Sequence, residues 1–274
     1  MTASDAPAPL LLKGGRVIDP ATGRDGAADL RFEGGRVAAL AEAVAPRPGD
    51  QVLDVSGRIV TPGLIDLHAH VYWGGTSLGV DAEAYARASA VTTLVDAGSA
   101  GAGNIDGFAA HVIRPAPVRI LAYLHASFAG IYAFDRRVSI GESADLRLLS
   151  TRDAVAAIAR HPDDVIGVKV RVGRMASGDQ GIAPLEIALQ IAEEAGLPLM
   201  AHIDEPPPSY AAVCAALRPG DVLTHAFRPF PNRRSAVAKE KDAMPWPMSN
   251  RTPRSRAART SGRTAPSGPS GVLG

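Results

Sequence analysis

At 274 residues the chain is long enough for one α/β barrel or two smaller domains with a sizeable core. No apolar run reaches the length of a membrane span, and the opening MTASDAPAPLLLKGG has no basic stretch before its short apolar run. A membrane segment and a secretory leader are therefore not expected, and a cytoplasmic location is. The single cysteine, Cys214, excludes an internal disulfide and any thiolate cluster, while the net charge of +1 hides a strongly basic C-terminal stretch on a mildly acidic body.

Residues 10–58 read as short strands punctuated by glycines. Leu10–Lys13 meets Gly14-Gly15, Arg16–Pro20 follows, Asp29–Phe32 precedes a Gly34-Gly35 turn into Arg36–Leu40, and Gln51–Val55 runs to Ser56-Gly57. This spacing predicts a small β-sandwich or sheet over residues 1–58, with the glycine pairs in tight turns. The pairs lack the spacing and the following helix that phosphate binding needs.

From residue 59 strands alternate with helices, the signature of a parallel sheet with helical crossovers. Ile59–His70 (IVTPGLIDLHAH) is the first unit, and Asp81–Ser89 is its helix. Then come strand Val91–Asp96, helix Asn104–Ile113 and strand Val118–His125. Helix Arg152–Arg160 has Thr151 as its expected N-cap, and strand Val165–Val172 follows it. Pro184 opens helix Leu185–Ala195 and Gly196 closes it, leading to strand Leu197–Asp204, helix Tyr210–Leu217 and strand Val222–Phe227. Six such strands over residues 59–232 fit most of a TIM-type (β/α) barrel, which needs eight to close. The expected fold is thus α/β, an incomplete (β/α) barrel preceded by the small β domain.

Alternation along a strand puts His68 and His70 on one face, at the end of the first barrel strand. Two adjacent imidazoles there fill a core poorly and ligate a borderline metal such as zinc well, although a chance pair at a strand end is the bland alternative. The run Pro62-Gly63-Leu64-Ile65-Asp66-Leu67-His68-Ala69-His70 resembles the first barrel strand of the amidohydrolase superfamily of metal-dependent hydrolases, in particular its deacetylase and dihydroorotase-like branch.

The resemblance extends along the chain. Barrel enzymes carry their active sites at the C-terminal strand ends, where Lys169, His202 and His225 fall on the fourth, fifth and sixth strands. Together with His68 and His70 they match the superfamily's ligand set. The resemblance implies two divalent metal ions, zinc being expected, bridged by Lys169 after it is carbamylated by carbon dioxide. Without the resemblance, Lys169 sharing a face with Arg171 reads as a solvent-facing strand, and His202 and His225 read as core histidines. His125 and Arg171 are further candidates for substrate contact; His111 and His161 fall on helices and are expected to be solvated. The superfamily's last barrel strand also supplies an aspartate that acts as general base. No match to it stands after His225, and none of Asp66, Asp96 and Asp204 is assigned that role.

Residues 233–274 are rich in Arg, Ser, Pro and Gly without periodicity, a composition that cannot bury enough apolar surface to order itself. A basic arm for nucleic acid and a tail produced by a frameshift near residue 232 are the other readings; no nucleic-acid partner is expected, since no recognition motif accompanies the charge. Two functions stay open: a hydrolase of amides, cyclic amides or acetyl esters acting on a small molecule, with homo-oligomerisation allowed, or a non-catalytic truncated remnant that binds metal weakly. Loss of the last strands and their aspartate is expected to leave this chain poorly active in either case.

Overall fold

The computed structural model describes residues 8–135 and 137–227, all within one compact unit, Met1–Val237. The tail 233–274 lies outside them. Two sheets organise the chain. The first contains β1 (Leu10–Asp19), β2 (Arg24–Glu33), β3 (Arg36–Ala41), β4 (Gln51–Asp54) and β5 (Ile59–Val60), ordered β3-β2-β1-β4 with β5 also against β1. β1 is antiparallel to β2 and parallel to β4 and β5.

Gly14 and Gly15 do not turn the chain as expected. They lie inside one continuous β1, where the register against β2 shifts between Leu12 and Gly15. Gly14 has φ +74°, and a Cβ there would overlap the Ser56 hydroxyl, so the irregularity demands glycine. Its N–H donates to Asp29 Oδ1 at 2.9 Å; the Val44 N–H donates to Oδ2 at 2.9 Å, and the Lys13 ammonium lies 3.1 Å away.

The Val44 and Gly14 amides, then Lys13, hold the Asp29 carboxyl down to about 2. A carboxylate whose pKa is depressed by folding stabilises the fold above its unfolded pKa, near 4, and loses that contribution as pH falls through about 2. In urea unfolding followed by circular dichroism, Asp29→Asn is therefore expected to be less stable than wild type at pH 6, with the gap closing towards pH 2. A gap independent of pH would contradict this role.

The second sheet holds six parallel strands in chain order: β6 (Leu64–Ala69), β7 (Val91–Asp96), β8 (Arg119–His125), β9 (Val165–Val172), β10 (Leu199–Ile203) and β11 (Val222–Thr224). Parallel neighbours need crossovers, and helices supply most of them. α1 (Ala82–Ser89) is N-capped by Asp81, whose side chain accepts from the Ala84 N–H. α2 (Ile105–Phe108) continues as a π-helical turn over Ala109–Ile113. α3 (Thr151–Arg160) is capped by Ser150 rather than Thr151, the Ser150 hydroxyl accepting from the Asp153 N–H. α4 (Arg174–Ser177) is a short helix that the sequence pattern did not suggest; α5 (Ala183–Ala195) has Pro184 in its first turn and left-handed Gly196 at its end; α6 (Tyr210–Ala216) precedes β11.

The apolar core lies between this sheet and its helices. Leu124, Val168, Val170, Leu199 and Ala201 from the strands meet Ile105, Phe108, Ala157, Leu185 and Ile191 from the helices, all fully buried. β9 and β10 are buried on both faces, and their sequences read as near-continuous apolar runs. The architecture is the expected one: an α/β fold in which a curled six-stranded parallel sheet forms an incomplete barrel after an N-terminal β-sheet. Among the described residues, no helix is long and apolar enough to cross a membrane.

Candidate metal centre

The structure brings all five residues expected to ligate metal to one cavity. His68 stands near the end of β6 and His70 just beyond it; Lys169 lies on β9, His202 on β10, and His225 follows β11. β11 is shorter than expected. It stops at Thr224, and His225 adopts φ +63°, a left-handed conformation uncommon for a residue with a side chain. The imidazoles form a chain of edge-on neighbours: His70–His68 centroids are 5.5 Å apart, His68–His225 5.1 Å and His225–His202 4.5 Å. With Lys169 and Arg171 they wall a cavity of about 270 Å³, whose remaining lining is Leu78, Ile131 and Phe134.

Lys169 faces this cavity and not solvent. It is 1% exposed, and its Nζ has no hydrogen-bond partner among the described residues. β9 is covered on both sides, so the solvent-facing strand face that Lys169 and Arg171 would otherwise define is absent here. Burial first, and then the Arg171 charge, bring the Lys169 ammonium down to about 7. Burial likewise dominates at His70, which falls to about 2, with neighbouring cations adding to the effect. His70 is thus held neutral, and the Lys169 amine becomes far more accessible in the uncharged form that can donate a lone pair than an exposed lysine is.

Gly98, after β7, makes room for Lys169. It has φ +87°, and a Cβ on it would overlap the Cβ and Cγ of Lys169. Next to it, Ser99 orients His70. Ser99 Oγ lies 2.9 Å from His70 Nδ1 and donates to Asp96 Oδ2 at 2.8 Å. The single hydroxyl proton is committed to Asp96, so Nδ1 carries its own hydrogen and Nε2 presents a lone pair. Asp96 also accepts from the Ser99 and Val71 amides at 2.6 and 2.8 Å. Burial raises its pKa while these donors oppose the rise. This Asp96–Ser99–His70 chain was not anticipated from sequence; the Asp-x-x-Ser spacing at a strand end is the one signal for it.

Arg171 is 6% exposed and lines the cavity. Its Nη1 donates to Glu142 Oε2 at 3.2 Å, and its guanidinium carbon stands 4.7 Å from the Phe134 ring centre. His125 is fully buried and does not line the cavity. Its Nδ1 accepts from the Ser127 N–H, which leaves a proton on Nε2, 3.3 Å from Glu142 Oε1. Burial alone would raise the Glu142 carboxyl, but His125 and Arg171 hold it below its ordinary value. Glu142 sits in an irregular loop and left no sequence signal. His111 is exposed, as expected. His161 is not: it caps the end of α3, 6% exposed, with Nε2 2.6 Å from Asp106.

Of the carboxylates considered for proton transfer, Asp66 and Asp96 are hydrogen-bonded elsewhere, while one oxygen of Asp204 has no hydrogen-bond partner among the described residues. Asp66 accepts from the His68 N–H and the Tyr85 hydroxyl, and Asp204 accepts from the Met175 N–H, with its other oxygen 3.6 Å from His202 Nε2. Among the described residues, no group of three or more His, Cys, Asp and Glu side chains is drawn tightly enough to hold a metal ion by itself. The donors nonetheless suit one. They are imidazole nitrogens, which borderline divalent ions favour, around a buried amine without a hydrogen-bond partner among the described residues.

Residues 59–218 match the Amidohydrolase family. Deacetylase Atu3266 of Agrobacterium fabrum is 35% identical over 193 residues, 70% of this chain and 47% of that protein. A dihydroorotase of Syntrophus aciditrophicus is 56% identical over 63 residues, 23% of this chain and 15% of its own. Among solved structures, a dihydroorotase superposes with a TM-score of 0.75 at 31% identity, over 85% of this chain and 61% of its own. An adenine deaminase gives 0.72 at 32%, over 83% and 60%. The chain spans about half the length of the deacetylases it matches. A family match over most of the barrel sheet, joined to the strand-end histidines and the buried lysine, leads to one conclusion: the chain belongs to the amidohydrolase family.

Proposed function

We propose that the protein is a metal-dependent hydrolase of carbon–nitrogen bonds in small amides or cyclic amides, or of acetyl esters. One observation carries the reading: the amine of Lys169 is buried without a hydrogen-bond partner among the described residues, in a cavity walled by His68, His70, His202 and His225. A lone buried amine is costly to fold around unless something else satisfies it. His68, His70, His202 and His225 would hold two divalent ions, zinc by the chemistry of the donors. Lys169 would join them as a carbamate, its neutral amine adding to carbon dioxide with loss of one proton. Bound there, the ions supply Lewis acidity to a carbonyl oxygen and lower the pKa of water. The protein's own part is to lower the basicity of the Lys169 amine and keep His70 neutral, to aim His70 Nε2 through Ser99 and Asp96, and to enclose the reacting group among Leu78, Ile131 and Phe134.

A second reading, a non-catalytic chain that binds metal weakly, is favoured by the hydrogen bonds that occupy Asp66 and Asp96 and by the want of a described carboxylate assigned to proton transfer, a role worth about 10²–10⁴-fold. Elemental analysis of the purified 274-residue chain, paired with hydrolysis of an acetyl ester and an N-acetyl amide, separates the two. The expected result is bound zinc that is lost on His68→Ala plus His70→Ala. Metal content unchanged by that double substitution would remove the proposed centre; metal lost with it, but no chelator-sensitive hydrolysis in the parent chain, would favour the second reading.

A further inference from the structure

Arg171 is a cavity cation that no metal ligation explains. Its alternation with Lys169 along β9 brings both side chains to the same cavity. Its guanidinium puts a positive charge on the cavity wall. Its burial is made tolerable by Glu142, whose side chain is 2% exposed and accepts from Nη1 at 3.2 Å. The other oxygen of Glu142 lies 3.3 Å from His125 Nε2.

Phe134 covers the guanidinium at 4.7 Å. Glu142 and Phe134 both come from the segment between β8 and α3, so two contacts from one loop fix a planar fork supplied by a strand. A guanidinium has five N–H donors, and Glu142 accepts from one of them. A fork immobilised on one edge and stacked on one face is suited to receive a planar, bidentate acceptor, and a carboxylate is the match in shape and charge.

We propose that Arg171 is a specificity-determining residue, taking the carboxylate of an amide substrate that carries one, with Glu142 and Phe134 holding the guanidinium in place. This rests on the reading of the cavity as a substrate site. Leu78 and Ile131 give the same cavity an apolar surface for the remainder of such a molecule.

The test is a binding comparison on the full 274-residue chain, as purified and after chelation, with N-acetylglycine and its neutral counterpart N-acetylglycinamide as probes, followed by ligand-observed NMR. The expected result is at least about a tenfold preference for the acid, the scale of a charge-assisted bidentate contact. Arg171→Gln should bring the ratio to near one with little change for the amide. That variant leaves Glu142 buried without its cation and can fail to fold, so Arg171→Gln with Glu142→Gln, which removes both charges together, is measured beside it and should lose the preference equally.

A ratio near one in the parent chain, or a preference that survives in the double variant, would overturn the proposal. Because no turnover is required, a chain that prefers the acid but hydrolyses nothing would support Arg171 in binding while counting against the hydrolase reading alone.

Discussion

Lys169→Ala is expected to strip the chain of most of its metal, by at least about a hundredfold in affinity, while leaving the metal-free fold about as stable as before. Loss of an outer partner of a metal ligand already costs about 10–100-fold, and a bridging ligand should cost no less. The stability half of the expectation separates a ligand from a structural lysine. Truncating a buried side chain leaves a cavity that destabilises the fold. Here the truncation also removes an amine with no described hydrogen-bond partner, whose burial costs about 1–3 kcal/mol, so the two effects oppose each other. Adding acetate or propionate should restore part of the metal by standing in for the carbamate. Full metal occupancy in Lys169→Ala without such an acid would end the bridging assignment. A large drop in melting temperature of the metal-free variant would instead mark Lys169 as a packing residue.

Gly98→Ala is expected to damage fold and site together. The added methyl meets a backbone at φ +87°, which costs of order 1–3 kcal/mol for a residue with a Cβ, and it overlaps the first two carbons of the Lys169 side chain. Neither partner has an easy way out, since the obstacle is the near end of Lys169 on a buried strand and not a flexible tip. Urea unfolding of the metal-free protein should show a loss of about 2–4 kcal/mol, the backbone cost joined by overpacking. Metal content should fall with it. A variant as stable and as metal-loaded as wild type would show that Lys169 moves aside freely and that its position is not set by Gly98.

Much of the barrel sheet was legible because its strands are apolar on both faces and end in residues that an apolar strand does not otherwise carry. Lys169 inside VIGVKVRV, and His202 inside LPLMAHID, are anomalies that a linear reading can see. What was missed depends on distance or on local backbone geometry. His161 looked like a helix-surface histidine because its partner Asp106 is far away in sequence. Gly14-Gly15 looked like a turn because a β irregularity also needs a positive φ, and the contact with Ser56 that demands it is more than forty residues on. His225 was read inside a longer strand, whereas pairing of β10 with β11 ends at Thr224. Glu142 lies in a loop, where no periodicity reports burial, and only the fold brings it to His125 and Arg171.

The strand order has a consequence for how the site comes into being. Within the described sheet each strand pairs with the next in the chain, so pairing can extend stepwise without long-range rearrangement, from β6 towards β11. The imidazole chain does not share that locality. His68 belongs to the first strand of the series and His225 follows the last, more than 150 residues later, yet their rings are 5.1 Å apart. The donor set is therefore among the most non-local contacts in the molecule, and it assembles only when the curvature of the whole sheet is in place. Folding speed is governed by such distant contacts, whereas the entropy of closing so long a loop grows only slowly with its length. An ion bridging the two ends would act as a clasp, binding only to the fully curved state and stabilising that state in proportion to its occupancy.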